Sequence, residues 1–285
     1  MKKPLFTLIV ATLGRERELD SFLDSVSKQT IDLSEIQIVI VDQNSDIDLE
    51  PVINQYQNRL HILHMRSPKP GLSHNRNLGL DVAKGQIVAF PDDDCLYYPD
   101  TLDKVREAFR RNPTSNLILG RIVDRSTGKP MLRKWPTSPK IVSRMNFLTY
   151  YSSITIFAKN CPYFDERLGV GTYFGSYEDA DFVYSVLLRD KGAIYDPTIE
   201  VWHEEQNMHV FNEIKIWQYG LGFGALTRKH LSFVMVYWLL GVLTYHTLGL
   251  LRAFLRSDSG EVRKRWLSIA SRIQGFLRFP RTPEN

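Results

Sequence analysis

Apolar runs of strand length alternate with helical spacing through the first half of the chain. Residues 5–11 form a short apolar run that predicts a buried strand. Residues 16–28 follow, with Leu19, Phe22, Leu23 and Val26 at the spacing of one helix face. A β-branched strand over 36–41 ends at Asp42, a helix is expected over 49–56, and a third strand over 60–65. A helix over 72–83 carries Ser73 and Asn75 near its start, and a fourth strand over 86–90 runs into Pro91, Asp92, Asp93 and Asp94. A helix over 100–111 and a strand over 116–123 complete the series. Repeated strand–helix–strand units predict an α/β fold, a mostly parallel sheet with helices on both faces. Ligands of such sheets bind at the carboxyl ends of the strands. Thr12, Asp42 and the acidic triplet all stand at those ends.

Beyond residue 125 the pattern loosens. Residues 126–140 are rich in Pro, Gly, Ser and Lys and read as a loop. A strand is expected over 153–157, a helix over 178–189 with Phe182, Val183, Val186 and Leu187 inward, and short strands over 193–195 and 200–202. From 211 onward the chain reads as helices. The expected division is an α/β domain over 1–210 and a helical, apolar and basic appendage over 211–285, with no internal repeat.

Composition narrows the class. The chain has 285 residues, 43% of them hydrophobic, which excludes wholesale disorder. Its two cysteines, Cys95 and Cys161, exclude a disulfide framework or a four-thiolate zinc site. The net charge of +4 belongs to the tail: residues 252–285 hold eight Lys/Arg against three Asp/Glu, and the other 251 residues hold 28 against 29. A basic tail behind a long apolar run suits anionic lipid better than nucleic acid. Lys2 and Lys3 before residues 5–13 resemble a short signal peptide, but no small-residue cleavage site follows, so the run is read as the first strand.

The acidic triplet is the strongest chemical signal. Three adjacent carboxylates repel one another, and their emergence from a core strand is hard to explain without a cation. A hard divalent ion takes oxygen ligands and binds phosphate oxygens as well. No glycine-rich phosphate loop is present. Gly220, Gly222 and Gly224 follow no strand and read as close helix packing. Diphosphate charge would therefore fall to a metal and basic side chains.

These segments together resemble family 2 glycosyltransferases, which have the GT-A fold. Phe90, Pro91, Asp92, Asp93 and Asp94 look like the family's DxD motif. Residues 8–12 look like its first strand and nucleotide loop, and residues 40–45 like its VVDxxS segment. Residues 71–79 match GxxxARNxG, with Asn75 in place of the usual Ala. Glu178, Asp179 and Asp181 resemble the ED motif that carries the catalytic base. Residues 164–167 and 201–203 also look like this family, so the likeness covers about residues 4–230.

The resemblance implies a Rossmann-like GT-A sheet and an inverting, Mg²⁺- or Mn²⁺-dependent transfer from a nucleoside-diphosphate sugar. It implies Asp94 and Asp92 as metal ligands with His203 completing the site, Asp93 on the ribose, and Asp42 on the nucleotide base. Ala11, Thr12, Asn75 and Asn77 fall in its donor-binding segments. Arg15 and Arg76 are candidates for diphosphate contacts, or plain surface arginines. Asp179 is the implied general base, while Glu178, Asp181 and Trp135 are acceptor-side candidates. Cys95 is read as packing. The QxxRW motif of processive synthases is missing: Arg265-Trp266 is the only RW pair and Val262 stands where Gln should be, so one sugar per encounter is expected.

Two rival readings are a sugar-phosphate nucleotidyltransferase, for which residues 11–15 are too poor in glycine, and a non-catalytic sugar-nucleotide scaffold. Residues 231–251 carry no Asp, Glu, Lys or Arg and are long enough to cross a bilayer, yet include Ser232, Thr244, His246 and Thr247 and are flanked by cations on both sides. A crossing would put the basic tail outside, against the positive-inside tendency. The expectation is an enzyme of the cytoplasm, peripheral on the inner-membrane surface. It would meet a lipid-linked saccharide acceptor there and bind no nucleic acid. A buried helical subdomain is the alternative.

Overall fold

The computed structural model describes residues 3–189, 192–203 and 213–280. The chain divides into two compact units. One comprises Met1–Tyr163 with Phe182–Gln206, and the other Phe164–Asp181 with Asn207–Asn285. The segment before the acidic helix therefore groups with the C-terminal helices, a grouping the sequence division at 210 did not contain.

In the first unit, β1 (Phe6–Thr12), β2 (Ile36–Asp42) and β3 (His61–Arg66) pair in parallel, in the order β3-β2-β1. β1 also pairs in parallel with β4 (Ile87–Ala89). The far half joins β6 (Leu117–Asp124) in parallel to β10 (Ala193–His203). Between the halves, β9 (Ile156–Ala158) runs antiparallel to both β4 and β6. β5 (Cys95–Tyr97) and β8 (Lys140–Val142) also run antiparallel to β10, and β7 (Lys129–Pro130) to β6. The long strands thus pair in parallel as expected, and the short strands β5, β7, β8 and β9 add antiparallel edges and a seam.

The helices follow their apolar faces. α1 (Glu16–Ser27) buries Leu19, Phe22, Leu23 and Val26, and α4 (Thr101–Arg111) buries Leu102, Val105, Ala108 and Phe109. α2 spans Glu50–Tyr56 and α3 spans Leu72–Val82. At Gly79 a Cβ would fall on the Ile9 side chain, so α3 lies closer to β1 than any other residue would permit. Residues 193–195 and 200–202 belong to one strand, interrupted between Tyr195 and Glu200. The break contains Pro197, which has no N–H to give a ladder.

α5 (Glu178–Arg189) begins in the second unit and ends in the first. The second unit continues with α6 (Glu213–Lys229), α7 (Phe233–Leu255) and α8 (Ser259–Arg278). A Cβ at Gly220 would collide with Ser271, one at Gly224 with the Arg272 backbone, and one at Gly275 with the Leu221 backbone. The glycine cluster is therefore a close contact between α6 and α8. α7 is long and apolar enough to cross a membrane by length and composition, with mean hydropathy 1.6 and 6% of its most apolar window buried.

A buried ionic network holds this unit together. Asp181, 1% exposed, pairs with Lys229 Nζ at 2.8 Å and His230 Nε2 at 2.7 Å. Lys229 also reaches Asp165 at 2.9 Å, and Arg167 Nε donates to Asp165 at 2.8 Å. Burial alone would raise the Asp165 carboxyl, but Arg167 and Lys229 hold it well below the usual carboxylate range. Its contribution to stability is therefore full above the unfolded value of about 4 and fades as pH falls toward the depressed folded value. Asp165→Asn should cost about 2–3 kcal/mol at neutral pH. Thermal melts should show the gap between variant and parent closing as pH falls below about 4; a gap constant with pH would contradict this.

Candidate active site

The parallel register places Thr12 beside Asp42 at the carboxyl ends of β1 and β2. Asp42 is 1% exposed, and its Oδ1 accepts from both the backbone N and the side-chain Nδ2 of Asn44 at 2.8 Å. Its Oδ2 faces His64 Nε2 at 3.1 Å. Asn44 Oδ1 accepts from the Gly14 N–H at 2.6 Å, and Gln43 Oε1 from the Gly71 N–H at 3.0 Å. Three strand-end loops are thereby tied together around one carboxylate. His64 carried no signal in the sequence. It reaches Asp42 because β3 pairs with β2 in a register that sets Ile40 opposite His64.

The acidic triplet leaves β4 through the buried Phe90. Asp93 accepts from Thr12 Oγ1 at 2.7 Å and from Arg15 Nη1 at 2.9 Å, and Arg15 also pairs with Asp94. Arg76 is 1% exposed and donates to Asp92 at 3.0 Å and to Ser153 Oγ at 2.6 Å. It is thus no surface arginine; its partner Ser153 could not be read from sequence. Asn75, fully buried, donates to the carbonyls of Lys69 at 3.0 Å and Gly71 at 2.7 Å, fastening the loop before α3. Gly71 holds φ +133°, a conformation L side chains rarely adopt. Asn77 is buried on the same helix, and Ala11 is half-buried at the end of β1.

The antiparallel β5–β10 register sets His203 opposite Cys95, which brings its ring to Asp94, Nε2 to Oδ1 at 3.3 Å. One ligand atom from each of Asp92, Asp94 and His203 lies within 4.8 Å of the others. Two carboxylate oxygens and one imidazole nitrogen suit Mg²⁺ or Mn²⁺ better than a thiolate set would. Cys95 lies outside this trio, fully buried, and burial followed by the charges of Asp92 and Asp94 pushes its thiol well up. Burial raises Asp92 against the opposing charge of Arg76, and raises Asp93 against its bonds to Thr12 and Arg15. Burial also works against ionised Asp94, yet His203 and Arg15 carry it below its ordinary value. Of the three carboxylates, Asp94 is thus the one whose partners outweigh burial and favour the charged form.

The acidic start of α5 is described within the helical unit. Tyr177, just before it, holds φ +67°, an outlier for a bulky side chain of the kind that clusters at functional sites. Glu178 and Asp181 are buried, whereas Asp179 is half-buried, its Oδ1 accepting from the Ala180 N–H at 2.8 Å. Asp181 was an acceptor-side candidate; the structure instead commits both its oxygens to Lys229 and His230. Trp135 is likewise turned inward. It is 6% exposed, stacks on Tyr195 at 6.5 Å and gives its indole N–H to the Met131 carbonyl at 2.9 Å, so its ring packs the loop rather than facing an acceptor.

The chain is similar to known proteins. A 131-residue stretch is 32% identical to a PGL/p-HBAD biosynthesis glycosyltransferase of Mycobacterium bovis, covering 45% of this chain and 50% of that protein. A 174-residue stretch is 28% identical to the poly(ribitol-phosphate) beta-N-acetylglucosaminyltransferase TarS of Staphylococcus aureus, covering 57% of this chain and 30% of that one. The chain thus spans half or less of the length of these curated relatives. Among solved structures, TarS 1–349 in complex with UDP-GlcNAc superposes with TM-score 0.58 at 19% identity, over 95% of this chain and 92% of that one. The Pyrobaculum calidifontis mannosyltransferase PcManGT, in complex with GDP-Man and Mn²⁺, gives 0.62 at 14% identity, over 97% and 87%. At such identities these structures speak for the fold, which is of the GT-A type. The sequence model "Glycosyl transferase family 2" matches residues 7–168, more than half of the chain, from the first strand through the acidic triplet, and the chain belongs to that family.

Proposed function

We propose that the protein is an inverting, metal-dependent glycosyltransferase that moves one sugar from a nucleoside-diphosphate sugar to a lipid-linked saccharide in surface polysaccharide assembly. The observation that carries this reading is the trio Asp92, Asp94 and His203 at the strand ends, beside Thr12 and Asp42. Asp92, Asp94 and His203 would hold a divalent ion, which would supply positive charge to the leaving diphosphate. Asp42, oriented by Asn44 and His64, accepts an N–H of the nucleotide base, and Asp93 a ribose hydroxyl. Arg15, the more exposed of the two site arginines, is free to swing from Asp93 and Asp94 toward diphosphate oxygens, whereas Arg76 balances Asp92 from below. Ala11, Thr12, Asn75 and Asn77 shape the donor loops. Asp179 takes the proton of the acceptor hydroxyl as that oxygen attacks the anomeric carbon. The bond to the diphosphate breaks on the opposite face, so the anomeric configuration inverts. His64→Ala should weaken donor binding by about tenfold, by freeing one oxygen of Asp42 from its partner. Nucleotide titration checks this, and unchanged affinity would separate Asp42 from base recognition.

The helical unit supports the reading of acceptor and location. Phe233, Tyr237, Leu240, Tyr245, Leu248 and Leu251 of α7 are all at least half exposed. That exposure argues against the buried-subdomain alternative, and such a contiguous apolar surface is a membrane or partner site. On α8, Arg263 and Lys264 stay largely exposed and suit anionic headgroups at the cytoplasmic face of the inner membrane. Trp266, 60% exposed, suits the interface. Leu240→Glu with Leu251→Glu removes about 3–6 kcal/mol of apolar insertion. Cell fractionation should find the parent with membranes and this variant mostly soluble; a parent wholly soluble at low salt would defeat the reading.

A further inference from the structure

We propose that the seam where α6, α7 and α8 meet binds the phosphate or diphosphate of an amphiphilic acceptor. This rests on the membrane-surface reading above and assigns the residues that recognise the acceptor's anionic group.

Three N–H donors in this unit are buried and meet no acceptor among the described residues: Arg228 Nε on α6, Trp238 Nε1 on α7 and Arg272 Nε on α8. Buried donors are almost always satisfied in native proteins, because an unmet one keeps its full desolvation cost. Neighbouring cations are paired: Arg263 with Glu213, and Arg265 with Glu261. Arg272 instead donates one bond, from Nη1 to the Ser268 carbonyl at 2.7 Å. Burial pushes its guanidinium down from the ordinary value, and the one group acting the other way is the Tyr177 phenol rather than a carboxylate.

Ring contacts and helix register bring the donors to one level of the unit. The Arg228 guanidinium lies over the Phe276 ring at 5.3 Å, and that of Arg272 over Phe223 at 5.7 Å, so both sit on the α6–α8 seam. On α7, His246 and Gly249 both meet Arg265. The antiparallel run of α7 against α8 then carries Trp238 to the level of Arg272 and Phe276. Two guanidinium groups and an indole N–H make a donor set suited to phosphate oxygens, and no carboxylate of the described residues acts on the Arg272 guanidinium.

Two further features select the ligand. Exposed Tyr237 stands next to Trp238 on α7 and would start the path of an alkyl chain onto the helix's apolar surface. Tyr177 packs edge-on against Phe223 at 5.4 Å and immediately precedes Glu178 and Asp179. An anion at Arg272 therefore lies close to the proposed base. That closeness fits an acceptor whose attacking hydroxyl is within a sugar or two of its phosphate.

The test uses full-length protein and neutral phosphatidylcholine vesicles, plain or doped with an isoprenyl diphosphate, with inorganic pyrophosphate as the soluble arm. The parent should bind doped vesicles about tenfold or more tightly than plain ones. Arg272→Gln and Arg228→Gln should each erase most of that ratio, and Arg272→Lys should recover part of it, which a mere folding defect would not. Arg252→Gln with Arg256→Gln, at exposed positions, should leave the ratio unchanged. A ratio near one in the parent, or one untouched by both single Gln variants, overturns the site while leaving membrane binding intact. Binding to doped vesicles alone would keep the site and remove the general membrane attachment; binding to neither would remove both. Pyrophosphate competing as well as the doped lipid would make the ligand a free diphosphate and overturn the lipid assignment.

Discussion

Asp179→Asn is expected to cut turnover by about two to four orders of magnitude while leaving donor affinity nearly unchanged. The substitution keeps the shape and the oxygen that accepts from the Ala180 N–H, so the start of α5 should fold as before. What it removes is the ability to take a proton. Among the three acids of this helix start, Asp179 is the one that is not buried. Asp181 is locked by Lys229 and His230 and has no oxygen to spare. A negative charge is also favoured at a helix N-terminus, so this position suits an ionised base. Steady-state rates with nucleotide titration separate the two effects. Near-normal turnover would transfer the role to Glu178; a loss confined to donor affinity would remove the general-base reading altogether.

Chelation should abolish transfer, with Mg²⁺ or Mn²⁺ restoring it, and Asp94→Ala should lose about 10²–10³-fold in turnover together with donor affinity. Asp94 is central because it is the carboxylate that meets both His203 and Arg15. Its removal leaves a trio with two ligands, Asp92 and His203. The change differs in kind from Asp179→Asn, which should spare the donor. Measured side by side, the two variants separate a donor-side loss from a chemical one. Donor affinity unaffected by both chelator and Asp94→Ala would remove the metal from the account.

Much of this was legible in the sequence, for identifiable reasons. β1, β2 and β4 are apolar runs that stop at polar residues, and a strand end is where α/β sheets place ligands. The helices α1, α4 and α5 announce themselves by apolar spacing. The antiparallel half was hidden. β5 has three residues directly behind the acidic triplet, too few for any alternation to register, although it is the strand that brings His203 to Asp94. His64, Asn44 and Ser153 were not singled out because their partners are set by register and tertiary packing, not by neighbours in sequence. A histidine near the end of a strand that pairs with one ending in Asp was the available signal. Trp135 and Asp181 were misplaced because a residue type that can face an acceptor can equally serve a core, and only burial tells them apart.

The central claim is metal-dependent sugar transfer from a nucleotide donor. The most direct measurement is a screen of purified protein against nucleoside-diphosphate sugars, reading released nucleoside diphosphate with and without Mg²⁺ or Mn²⁺. The account predicts release from one donor class that needs the ion, disappears in EDTA and is strongly reduced in Asp94→Ala. Release from every donor regardless of ion, or undiminished release in chelator, would contradict it.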